Sequence, residues 1–116
     1  MRKKVYNVKQ GQPYCSPVQV AAASGAITIQ SGVVHLTKAG VAVMTLADPP
    51  KDANGAELII RANTANAHTV TNTTGFDGAG AGGDVATFGG AVGDQLTLLA
   101  YDGVWRVYHK TNVTIA

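Results

Sequence analysis

The sequence has a single cysteine, Cys15, so no disulfide can close within the chain. It stands between Tyr14 and Ser16 with no histidine nearby, and reads as a small apolar filler rather than a reactive thiol. Glutamate is almost missing, with Glu57 the only one. Leu, Met, Glu, Lys and Arg together supply 18 of 116 residues, which leaves little material for helices. No apolar run approaches the roughly 20 residues that span a bilayer. Residues 10–37 carry no charge, but Gln, Ser, Thr and His interrupt them throughout. A formal net charge of +2 is too small to argue for a nucleic-acid partner.

What is present points to β structure. Val, Ile and Thr supply 31 residues, and branched side chains favour strands. The 14 glycines argue for many tight turns. With 46% hydrophobic residues the chain is not of the disordered class. At 116 residues it forms one domain and buries roughly two-thirds of its unfolded surface.

Charge is unevenly placed. Arg2, Lys3, Lys4 and Lys9 give the first nine residues +4, while the remainder carries −2. The basic start is followed by Asn7, Lys9, Gln10, Gly11 and Gln12 rather than by the apolar stretch of a signal peptide, so synthesis in the cytoplasm is expected. Pro13 and Pro17 break the weak alternation of residues 1–24. This segment reads as an extended basic arm with a short strand near residues 18–22, and residues 25–116 as the body.

Two segments carry hairpin signals. Ala26-Ile27-Thr28-Ile29-Gln30 and Val33-Val34-His35-Leu36-Thr37 flank Ser31-Gly32. A two-residue loop there sets Ile29 opposite Val34 and Ile27 opposite Leu36 on one face, with Thr28 and His35 on the other. Strands are expected next over residues 41–46, 57–62 and 68–72, with Leu58 and Ile60 of the second sharing a face. Residues 75–93 hold eight glycines around a strand at 84–88, and read either as an ordered loop with backbone against backbone or as a mobile one. The second hairpin, residues 95–101 and 104–109, flanks Asp102-Gly103, a favoured turn pair. It pairs Ala100 with Trp105, Leu98 with Val107 and Leu96 with His109 on an apolar core face. Residues 112–116 form a closing strand. The expected fold is a single compact antiparallel β-sandwich or small barrel, with a jelly roll among the allowed topologies.

The other face of the second hairpin carries Leu99, Tyr101, Val104, Arg106 and Tyr108. A water-facing side would be more polar than this. Aromatics and arginine with few other charges suit the centre of an interface, so this face is expected to meet another subunit. The competing reading is coverage by the protein's own arm or glycine-rich loop.

Catalytic and metal constellations are not visible. Gly78, Gly80 and Gly83 satisfy G-x-G-x-x-G but lack the flanking strand and helix of a dinucleotide site. Asp77, Asp84, Asp94 and Asp102 lie within 26 residues, yet they read as turn residues rather than calcium ligands. His35, His68 and His109 have no local metal-ligand spacing. Ser16, Ser24, Ser31 and Cys15 sit in no nucleophile elbow. No enzyme activity, cofactor or metal is therefore expected, and no nucleic acid or membrane as partner.

Five phrases carry a resemblance: residues 40–49 (GVAVMTLADP), 54–60 (NGAELII), 67–71 (AHTVT), 84–94 (DVATFGGAVGD) and 98–107 (LLAYDGVWRV). Together they resemble small virion structural proteins of tailed bacteriophages, over about residues 26–116. Among these, small free-standing chains are similar to capsid decoration, or cement, proteins. The resemblance implies a non-enzymatic β-rich module on the outer capsid surface, with the major capsid protein as partner and a homotrimer as assembly. By analogy Arg2, Lys3, Lys4 and Lys9 form a capsid-binding arm. The alternative it allows is a tail-fibre or receptor-binding module whose loop at residues 75–83 meets host glycan, although Phe76 is the only aromatic that loop offers.

Overall fold

Short runs in which apolar and polar residues alternate become strands, because successive side chains leave a strand on opposite faces. The computed structural model describes residues 16–116, which form ten strands. They are β1 Val18–Ala21, β2 Gly25–Ala26, β3 Gly32–Leu36, β4 Val43–Thr45 and β5 Glu57–Ala62. There follow β6 Thr69–Thr71, β7 Val85–Phe88, β8 Gln95–Tyr101, β9 Val104–Thr111 and β10 Val113–Ile115. The fold is all-β, as expected. Two five-stranded sheets stack as a sandwich, the first in the order β1-β3-β5-β8-β9 and the second in the order β10-β7-β6-β4-β2.

The sheets are mixed rather than purely antiparallel. β1, β3 and β5 run parallel in the first sheet, and β2, β4 and β6 run parallel in the second. The chain alternates between sheets for its first six strands, so each new strand lies beside the one laid down a circuit earlier. From β7 onward the pairing is antiparallel.

This winding overturns the hairpin expected around Ser31-Gly32. Residues 27–29 form no strand, and β3 pairs in parallel with β1 and β5 instead. The inward set survives, with Ile27, Val34 and Leu36 buried and Ile29 packed against the core. What failed was the partner. Gly32 has φ +99 and lies so close to the Pro17 carbonyl that a side chain would collide with it, which brings β3 alongside β1 rather than back on β2. Gln19 completes the corner. Its amide nitrogen donates to the Ala26 carbonyl at 3.1 Å, and its Oε1 accepts from the Thr28 N–H at 2.7 Å.

The core fills the space between the sheets. Leu58, Ile60, Leu96, Leu98 and Trp105 enter from the first sheet, and Met44, Val70, Ala86 and Phe88 from the second. Trp105 also donates its indole N–H to the Ala47 carbonyl at 2.9 Å, so its buried polar atom is satisfied. His68 is fully buried. Its Nδ1 accepts from the Ala42 N–H at 2.9 Å, which leaves Nε2 to donate to Thr64 Oγ1 at 3.0 Å. Thr64 Oγ1 in turn donates to the Lys38 carbonyl at 2.7 Å. This histidine ties corners together.

Candidate functional site

The second hairpin folds as its sequence suggests. Asp102 and Gly103 adopt φ of 55 and 73, the left-handed pair that a tight two-residue turn requires. Ala100 faces Trp105 and Leu98 faces Val107. A bulge then intervenes, so Leu96 opposes Lys110 and His109 opposes Thr97. The expected Leu96–His109 pair does not form, and His109 turns outward, because Tyr108 is the extra residue on β9.

The outer face of this hairpin holds the five expected residues. Leu99 lies beside Arg106, and Tyr101 beside Val104. Tyr101 is 61% and Tyr108 72% exposed, while Leu99, Val104 and Arg106 are half-buried. The Arg106 guanidinium carbon stands 5.7 Å from the centre of the Tyr101 ring. One terminal nitrogen reaches toward the Tyr101 carbonyl at 3.5 Å, and Nε is buried with no hydrogen-bond partner. Gly55, Leu99, Ala100, Tyr101, Arg106 and Tyr108 line a shallow hollow of about 350 Å³.

The face extends beyond the hairpin. By register Ile59 lies beside Thr97 on β8 and beside Val33 on β3, which lies beside Val18 on β1. Val18 and Val20 are exposed, and Val33 and Ile59 are half-buried. Apolar side chains thus continue the face from β9 to β1, interrupted by Thr97 on β8 and Glu57 on β5. The sequence reading missed its β1, β3 and β5 part. Setting Leu58 and Ile60 inward already turns Glu57, Ile59 and Arg61 outward, but nothing local says which strands lie next to them.

The glycine-rich segment guards the edge of this sheet. A 3-10 turn at Phe76–Gly78 packs along β9, and Asp77 Oδ1 accepts from the Val107 N–H at 3.1 Å. That contact occupies an edge donor that would otherwise recruit another strand. Phe76 is 2% exposed, so its ring is not offered to a sugar. A side chain on Gly75 would collide with the Gly80 backbone, so the segment is built backbone against backbone.

Arg2, Lys3, Lys4 and Lys9 lie outside the described residues. Of the clustered aspartates, Asp77 serves β9 and Asp94 serves a loop. Burial pushes the Asp94 carboxyl up, while donors from the Ala91 N–H, the Asn112 amide and the backbone of Gly90 and Gly89 pull it down and prevail. Among the described residues no three His, Cys, Asp or Glu side chains gather as metal ligands. No helix among them is long and apolar enough to cross a membrane. The arrangement is an exposed face of mixed apolar and polar side chains, on which Arg106 is held over the Tyr101 ring and Arg61 by Asn63. Compared with protein-family models and with curated proteins, the chain matches none.

Proposed function

We propose that this protein is a non-enzymatic bacteriophage capsid decoration protein, a homo-oligomer that binds the outer capsid surface and stabilises the shell. The observation that carries the reading is the exposed band on the first sheet, where Tyr101, Tyr108, Val18 and Val20 all stand more than half exposed. Tyr101, Tyr108 and Arg106 stand at its β8–β9 end, and tyrosine and arginine are the usual anchors of protein contacts. Copies of the chain meet through this face. The basic residues Arg2, Lys3, Lys4 and Lys9 reach the major capsid protein, adding charge contacts outside the folded body. The likeness of residues 26–116 to tailed-phage virion proteins supplies the capsid, and the β body with its exposed apolar side chains suits it.

The test is attachment to purified shells. A chain lacking residues 1–9 is expected to keep its thermal unfolding and lose most of its binding at moderate salt. Full binding by the shortened chain would remove the arm from the account.

A further inference from the structure

Glu57, Leu99 and Arg106 stand side by side on β5, β8 and β9. All three point away from the core, since their neighbours Leu58, Leu98 and Trp105 are buried. Neighbouring strands lie about 4.8 Å apart. The only glutamate in the chain and Arg106 therefore flank Leu99 at equal and opposite offsets. We infer that two copies of this chain pair face to face about a two-fold axis running along β8, with Glu57 of each copy against Arg106 of the other. This rests on the reading of the face as the contact between copies.

The geometry of the row produces the match. A two-fold axis parallel to β8, midway between two stacked faces, lays β5 of one copy over β9 of the other. Leu99 then meets its own counterpart, and the Glu57–Arg106 contact forms twice, as a self-complementary interface requires. Arg106 is already oriented by the Tyr101 ring at 5.7 Å, and a carboxylate satisfies a guanidinium edge in paired hydrogen bonds. Sheets stacked face to face keep their strand directions within about 30° of each other, so a small tilt of the axis away from β8 leaves the contacts nearest it in place.

A second feature agrees. Tyr108 sits in the bulge between the levels of Arg106 and His109. On the opposing copy that position lies between Glu57 and Ile59, beside a hollow of about 260 Å³ that Val33, Glu57 and Ile59 help to line. The most exposed aromatic of the face thus stands over an opening partly walled by apolar side chains. Strand spacing and rise make the face roughly 20 by 20 Å. A pair buries on the order of 1,000 Å² in total, the lower bound for a specific contact. The pairing is therefore dependent on concentration, and it is two-fold rather than the three-fold assembly the resemblance implies.

The experiment is sedimentation of the full chain over a wide concentration range, with circular dichroism as the check on folding. Wild type is expected to reach dimer mass. E57R alone and R106E alone are each expected to stay monomeric, because each sets two like charges together twice. An equimolar mixture of the two single variants restores the dimer, as does the double variant E57R/R106E, since both arrangements re-form opposite charges. Y108A and Y101A test the face itself. If the tyrosine variants dissociate while charge reversal changes nothing, this pairing is overturned and the face remains the contact. A wild-type mass of three, or wild-type mass in every variant, overturns the pairing. A wild type monomeric at all concentrations overturns both the pairing and the face.

Discussion

The Asn112 amide nitrogen donates to Asp94 Oδ1 across 3.0 Å, joining the start of β10 to the start of β8. The other carboxylate oxygen accepts from the Gly90 and Ala91 N–H groups, each at 2.9 Å. Asp94 is 3% exposed, and its pKa lies below the ordinary 3.8 despite its burial. An ionised carboxylate thus pins a glycine-rich loop from inside.

Asp94→Asn is expected to destabilise the fold by about 1–3 kcal/mol near neutral pH, because an amide nitrogen replaces one acceptor and faces donors. The acid limb of stability should change with it. The folded-state pKa is depressed, so the contribution of Asp94 is full above its ordinary value of 3.8. It is lost as pH falls from there through the lower folded value. Denaturant midpoints measured between pH 7 and pH 2 should fall in wild type across that window. The variant should show a shallower fall.

Trp105→Ala should cost about 3–5 kcal/mol, the range for deleting a buried aromatic. Trp105→Phe keeps most of the volume but leaves the Ala47 carbonyl without the indole donor now at 2.9 Å. A loss of about 1–3 kcal/mol is expected for it in urea melts.

Gly32→Ala should be costly where Gly40→Ala is not. A side chain on Gly32 meets the Pro17 carbonyl, at a φ of +99 that other residues rarely adopt. The expected loss is about 2 kcal/mol or more. At Gly40 the nearest atom to an added methyl is the Lys38 ammonium nitrogen at 3.4 Å, the end of a flexible chain. Thermal melts of the two variants separate the cases, and equal melting points would contradict the parallel placement of β3 beside β1.

Tyr101→Ala and Tyr108→Ala should change the stability of the monomer by no more than about 0.5 kcal/mol, since both side chains are largely exposed. Each should nevertheless lower the oligomeric mass at micromolar concentration. Light scattering and denaturant melts on the same samples separate the two effects.

Period-two alternation, glycine placement and turn chemistry are local properties, and they exposed much of this fold. Leu58 and Ile60, or Leu96 and Leu98, sort inward without knowledge of any partner. Asp102-Gly103 specifies its hairpin because two left-handed residues leave the chain only one way back. Ser31-Gly32 misled because a short turn between two alternating runs looks the same whether the chain returns beside itself or crosses to another sheet. The deciding contact, Gly32 against Pro17, spans fifteen positions and has no local signature. The bulge at Tyr108 was likewise invisible, and it moved His109 from the inner face to the outer. The face itself was half legible. Leu99, Tyr101 and Arg106 reveal it by being too apolar for water, whereas Val18, Val33 and Ile59 join it only through the parallel pairing of β1, β3 and β5.

The central claim is that this chain coats a phage shell. The most direct test is its copy number relative to the major capsid protein in purified particles of its source, read by quantitative mass spectrometry. The account predicts near-equimolar amounts. A trace of tens of copies per particle, or none, would contradict it.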